Sequence, residues 1–289
     1  MTPVRLLTFF AVAALLLPRS AGADQGGPRG TSGHLVLIGG GERPAAALVK
    51  FVELAGGPEA RILVLPTASE LDDIGEVYGR ELADKGGARA VEVLPIRSRA
   101  DAARPELVAR IAVADGLFFT GGDQSRITAA LAGTPAGEAI AAAWRRGAAL
   151  GGSSAGTACM SPWMLTGEGD FESIRPGGVE LVPGLGFADG MILDQHFLAR
   201  GRFNRLLAAV LEHPDLLGVG VDEATAVWIR PDASFEVIGE RQVLVLDARG
   251  LAVRRAAAPG GASFGADAVR LHLLLPGDRF DLAGGRRMP

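Results

Sequence analysis

The feature that most constrains this chain is an alternation. Short apolar runs that end in glycine are followed repeatedly by amphipathic stretches with a helical period. Residues 34–38 run into Gly39-Gly40-Gly41, and residues 44–54, apolar at helical spacing, stop at Gly56-Gly57. The strand signal returns at 61–65, 90–94, 117–120 and 148–150, and the helical one at 74–85, 105–112, 125–131 and 136–146. Strands joined through helices must lie parallel, with the helices on the faces of their sheet. The expected fold is therefore α/β, with a mostly parallel central sheet flanked by helices. Strand-like runs at 217–221, 226–229, 235–238, 243–247 and 269–275 follow one another with no helix between them, which predicts β-hairpin additions in the C-terminal third. Between these halves, glycines and prolines break any period over 161–190, read as a long functional loop, and 256–266 reads as a surface loop.

Composition narrows the function classes. With 48% hydrophobic and 21% charged residues in 289, the chain can build one sizeable core. A net charge of −4, scattered arginines and only Lys50 and Lys85 as lysines leave no basic stripe, so nucleic acid is not an expected partner. At the start, Arg5, the apolar run 6–17 and Ala21-Gly22-Ala23 have the order of an export signal. That run is shorter than the roughly 20 residues needed to span a bilayer. The expectation is a signal peptide over 1–23, a Gly/Pro/Ser linker over 24–33, and one domain over 34–289. The mature protein would be periplasmic or extracellular, with no membrane association. Cys159, the sole cysteine, sits in an apolar flank and reads as an inert buried thiol.

The chemistry concentrates at strand ends. Gly152-Ser153-Ser154-Ala155-Gly156 is a G-x-S-x-G placed between a strand and a helix, the setting in which a strained turn exposes a nucleophilic serine. The bland alternative is a packed turn in which Ser154 or Ser153 caps the helix. A serine nucleophile needs a base and an orienting acid. Of four histidines, His34 opens a strand, His213 ends a helix and His272 lies inside a strand pattern. His196, in Asp194-Gln195-His196-Phe197, is left where a strand ends. Asp222-Glu223 closes another strand and supplies an acid, with either residue eligible. The α/β-hydrolase order would instead need Asp222 or Asp247 and then His272, a poor fit. Thr120-Gly121-Gly122-Asp123-Gln124 opens a helix with glycine amides that could serve an oxyanion together with Ala155. No nucleotide loop and no zinc motif occurs, so neither a metal nor an organic cofactor is expected. Arg200, Arg202 and Arg205 crowd the segment after His196 and could clamp a carboxylate.

These motifs, in order from Gly33-His34-Leu35-Val36-Leu37-Ile38-Gly39-Gly40-Gly41-Glu42 through Leu65-Pro66-Thr67-Ala68-Ser69, Phe118-Phe119-Thr120-Gly121-Gly122-Asp123-Gln124 and the Ser154 elbow to Asp194-Gln195-His196-Phe197, Gly220-Val221-Asp222-Glu223 and Pro276-Gly277-Asp278-Arg279-Phe280, resemble the cyanophycinase family. These are serine exopeptidases with a glutamine-amidotransferase-like fold, related to peptidase E. The resemblance implies Ser154 as nucleophile, His196 as base, Glu223 as orienting acid, and amides of Gly122 and Ala155 as the oxyanion hole. Gln124, Asp194, Gln195, Arg200, Arg202 and Arg205 match the family's pocket positions. Ser153 and Thr157 depart from its usual Gly-Gly-Thr-Ser-Ala-Gly-Ala elbow. The implied reaction is hydrolysis of cyanophycin, or of a β-aspartyl peptide, by a homodimer. Carboxylates of Glu168, Asp170 or Glu172 would meet the substrate's guanidinium. The alternatives are an aspartyl or isoaspartyl dipeptidase and a non-catalytic binding protein on the same fold.

Overall fold

The computed structural model describes residues 33–258 and 261–289, so the expected signal segment and all of the linker but Gly33 lie outside the described residues. In chain order the first half comprises β1 (Leu35–Ile38), α1 (Ala45–Ala55), β2 (Arg61–Leu65), α2 (Ile74–Asp84), β3 (Ala90–Val93), α3 (Pro105–Ala112), β4 (Gly116–Phe119), α4 (Gln124–Leu131), α5 (Pro135–Arg145), β5 (Ala149–Ser153) and the short α6 (Ala155–Ala158). Helix α1 shows the local logic. Pro44 fixes its entry, and Ala47, Leu48, Phe51, Val52 and Ala55 recur on one buried face. It stops at Gly56, whose positive φ of 116° an L side chain resists. Buried on that face, a side chain the size of Phe51 contributes about 2–3 kcal/mol of transfer free energy.

The second half adds β6 (Trp163–Gly169), β7 (Val179–Pro183), β8 (Met191–Gln195), α7 (Phe203–Glu212), β9 (Leu217–Val221), β10 (Thr225–Ile229), β11 (Ser234–Gly239), β12 (Val243–Asp247), β13 (Arg254–Ala258), β14 (Gly261–Gly265), β15 (Arg270–Leu274), β16 (Arg279–Asp281) and β17 (Arg286–Arg287). The large sheet runs β17-β16-β11-β10-β1-β5-β4-β2-β3. Its strands β1, β5, β4, β2 and β3 are parallel, and β10, β11, β16 and β17 extend it antiparallel. This is the expected α/β arrangement with C-terminal hairpins added at one edge.

A second sheet, β15-β12-β9-β8, was not foreseen. In it β8 and β9 are parallel, and β12 and β15 join antiparallel. One face of the large sheet packs Val36, Ile38, Val64 and Phe118 against Leu48, Phe51 and Leu82 of α1 and α2. The opposite face shares a core with one face of the second sheet, in which Leu35, Leu37 and Leu117 join Met191, Leu193, Val219 and Val245. Helix α7 covers the outer face of the second sheet through Leu206 and Val210.

Three sequence expectations change. Strand β5 continues through Gly151 and Gly152 to Ser153 instead of ending at Leu150. A Cβ on Gly152 would stand 2.2 Å from Gly156 O, so its absence lets α6 fold back on the strand. The expected loop over 161–190 contains the β6–β7 hairpin, and the one over 256–266 holds β14 and the end of its partner β13. The β6–β7 register shifts between Leu165 and Gly169, and that irregularity destroys the two-residue alternation a sequence reading depends on.

Candidate active site

The carboxyl ends of β1, β4 and β5 of the large sheet converge with those of β8 and β9 of the second. Ligand sites in open α/β sheets form at this end of the strands. Between β5 and α6, Ser154 takes φ 54° and ψ −111°, a conformation that costs a non-glycine residue about 1–3 kcal/mol. It is held there by its own N–H, which donates to Ile38 O at 3.0 Å, and by the Thr157 hydroxyl, which donates to the same carbonyl at 2.6 Å. The departure at Thr157 from the usual elbow thus adds a buried bond beneath the turn.

Ser154 Oγ lies 3.0 Å from His196 Nε2, and His196 Nδ1 lies 2.6 Å from Glu223 Oε1. The carboxylate on Nδ1 selects the tautomer protonated there, which leaves Nε2 free to accept from Ser154. His196 follows β8 with φ 48°, and its N–H donates to Gly39 O at 2.7 Å. The glycine run after β1 makes room for the ring, since a Cβ on Gly40 would stand 2.3 Å from Nε2. Gly41 faces Glu223 in the same way, at 3.1 Å. Burial is the largest influence on the imidazole and pushes its pKa below the ordinary 6.5. Glu223 opposes that shift, and the Arg200 and Arg202 charges reinforce it. A shift in this direction favours the neutral ring, the form able to accept a proton.

The neighbouring carboxylate points elsewhere. Asp222, 3% exposed, accepts from the Leu198 and Ala199 amides at 3.1 and 2.9 Å, and Arg241 approaches it at 3.6 Å. One residue of strand register separates the acid on the imidazole from the acid on the backbone.

On the other side of Ser154, the Gly121-Gly122 turn passes close enough that a Cβ on Gly121 would lie 3.4 Å from Ser154 Cβ. Gly122 has φ 140° and presses against residue 68, whose carbonyl oxygen would stand 2.2 Å from an added Cβ. The amides of Gly122 and Ala155 are absent from the hydrogen-bonded turn and loop amides of the described residues.

The pocket candidates divide. Gln195 Oε1 accepts from Ser154 Oγ at 3.4 Å. Arg200 is exposed, and no ion pair or hydrogen bond occupies its guanidinium among the described residues. Arg202 Nη1 donates to Gln195 O at 2.5 Å and lies 3.6 Å from Asp194. Burial, with Arg205 and Arg200 nearby, lowers its pKa to about 10, and Asp194 opposes the shift. Asp194 and Arg205, expected to line the pocket, instead satisfy each other in a bidentate pair with 0% and 3% exposure. Gln124 Nε2 donates to Leu165 O at 2.8 Å and to Thr166 O, tying α4 to β6, while the residue also lines the cleft beside Glu168. Of the three loop carboxylates, Asp170 is spent on Ser173 and Arg175, and Glu172 is exposed. Glu168 lines a cleft of about 320 Å3 with Asp123, Ser125 and Glu180.

The other histidines lie apart from the relay. His34 accepts from Trp228, His213 stacks on Trp163 at 4.8 Å, and His272 packs on Phe280. Sequence reasoning passed over Tyr78, the sole tyrosine, whose hydroxyl accepts from Gly121 N at 3.1 Å. Its only sequence signal is an aromatic on the buried face of an amphipathic helix, which reads as core.

Residues 35–237 match the family described as Peptidase family S51. The chain is 36% identical over 259 residues to a cyanophycinase of Synechococcus elongatus, covering 88% of this chain and 80% of that one. It is also 36% identical over 261 residues to a cyanophycinase of a Nostoc species, covering 88% and 87%. The crystal structure of a peptidase from an acI-B1 Actinobacterium shares the fold, with a TM-score of 0.65 and 24% identity over 88% of this chain and 98% of that one.

Proposed function

The chain belongs to peptidase family S51 and is a serine-type exopeptidase hydrolase, and on that premise we propose that it is an exported enzyme that hydrolyses cyanophycin to β-aspartyl-arginine dipeptides through Ser154, His196 and Glu223. The observation that carries this reading is the unbroken relay from Ser154 Oγ through the imidazole to the Glu223 carboxylate, in a chain whose relatives are cyanophycinases. Export rests on the order of charge, apolar run and small residues over 1–23. A substrate too large to enter a cell agrees with it.

The reaction follows from the geometry. As Oγ attacks the main-chain carbonyl of an aspartyl residue, Nε2 takes the hydroxyl proton, and Glu223 stabilises the imidazolium that forms. The amides of Gly122 and Ala155 receive the developing oxyanion, a contribution of about 3–4 kcal/mol for one donor in such sites. The imidazolium returns its proton to the departing amine, leaving an ester on Oγ. Water, deprotonated by Nε2, then hydrolyses that ester. Arg200, exposed beside His196, would meet a substrate carboxylate.

The test is mass spectrometry of soluble products after incubation of cyanophycin granules with the protein and with its Ser154→Ala variant. Release of β-aspartyl-arginine by the unaltered protein alone is expected. An equally active Ser154→Ala protein would overturn the nucleophile. Release of neither dipeptide nor arginine by the unaltered protein would overturn the substrate.

A further inference from the structure

Tyr78 occupies a position that core packing does not explain. Its ring belongs to the α1–α2 side of the large sheet, tilted against Phe118 at 5.8 Å between centroids. The Arg43 guanidinium lies 4.4 Å from the ring centroid. That guanidinium is fixed in turn by Glu81, one turn further along α2, and by Gly41 O. A phenylalanine would fill this slot as well as tyrosine. The phenol oxygen reaches beyond the core to the end of β4 and accepts the Gly121 N–H at 3.1 Å.

The amides around Gly121 show why that bond is needed. Thr120 N donates to Leu65 O at 3.1 Å and Asp123 N to Ala68 O at 2.9 Å, both main-chain acceptors of the β2 end and its following turn. Between them β2 has ended and Pro66 turns the chain away, so the Gly121 amide finds a side chain in place of a carbonyl. Gly121 immediately precedes Gly122 and stands beside Ser154, with its empty Cβ position 3.3 Å from the Tyr78 oxygen and 3.4 Å from Ser154 Cβ. Two adjacent glycines form a pliant turn, and an oxyanion donor is effective only when held still before charge develops.

We propose that Tyr78 is a positioning residue for hydrolysis, whose hydroxyl, by accepting the Gly121 N–H, fixes the Gly121-Gly122 turn and so aims the Gly122 amide at the oxyanion on Ser154. The inference rests on the reading of Ser154 as nucleophile. It concerns the side of the site opposite to His196, and that separation makes it testable.

The experiment compares the protein with Tyr78→Phe, which removes one oxygen and keeps the ring. With cyanophycin as substrate, kcat falls about tenfold, KM stays within about twofold, and the acid limb of the pH profile stays in place because the imidazole relay is untouched. Phenylboronic acid, which adds to a serine Oγ and puts a boron-bound oxygen where the oxyanion forms, binds about tenfold more weakly. Unchanged kcat and boronate affinity would overturn the proposal. So would a Tyr78→Phe protein that loses its circular-dichroism signal or melts far lower, because the hydroxyl would then serve the fold. Ser154→Ala in the same assay keeps the two readings apart: activity in that variant removes the nucleophile, whereas a silent Ser154→Ala beside a fully active Tyr78→Phe removes only the role of the tyrosine.

Discussion

At residue 196, opposed influences set one proton. Burial and the Arg200 and Arg202 charges favour the neutral imidazole, while Glu223 favours its charged form. With His196 as the base we propose, activity is expected to fall as pH drops through its pKa, which lies below the ordinary 6.5. Arg200→Gln removes one of the depressing charges, so the acid limb of kcat/KM moves to higher pH, measurable with a soluble β-aspartyl peptide across pH 4–8. A limb that stays put or moves down would show that Arg200 does not act on the ring. Stability shares this sign. With the folded pKa below the unfolded value, the contribution of His196 is fully present above about 6.5 and is lost as pH falls.

Among the elements, the segment between His196 and α7 depends on a carboxylate from another strand. Asp222 holds the Leu198 and Ala199 amides, and the same segment carries His196 at one end and Arg200 at the other. Asp222→Ala therefore leaves two amides without their acceptor, lowering stability by about 2–3 kcal/mol and kcat by about tenfold or more. Asp222→Asn keeps one acceptor oxygen and loses less; chemical denaturation with steady-state kinetics on both variants checks the order. These two neighbours also mark where sequence reading stops. Both carboxylates were eligible from their place at a strand end, but which faces the imidazole depends on register, which a lone sequence does not carry. Ser154 stood out because glycines, strand and helix announce a strained turn. The parallel strands were legible because each is a buried apolar run ending in glycine. The β6–β7 hairpin was not, since its bulge removes the alternation, and the second sheet was not, since local pattern is silent on which strands pair. Asp194 and Arg205 looked like pocket residues because charge in sequence gives no hint that two such groups will be buried on each other.

For the whole molecule, that buried pair joins β8 to α7 on the outer face of the second sheet. Arg205→Ala leaves the buried Asp194 carboxylate with only the Gln195 N–H and the more distant Arg202 and lowers stability by about 3–5 kcal/mol, whereas Asp194→Leu with Arg205→Met recovers most of the loss. Thermal melts of the single and double variants distinguish this from a ligand-binding role, which would leave the melt nearly unchanged. The position of the relay reaches further. Ser154 ends a strand of the large sheet, His196 ends a strand of the second, and Glu223 stands on the segment that passes from the second sheet back to the first. The three groups meet only when both sheets have closed on their shared core. On the roles proposed above, a half-folded chain holds the serine apart from its base, so hydrolysis waits until the two sheets have met.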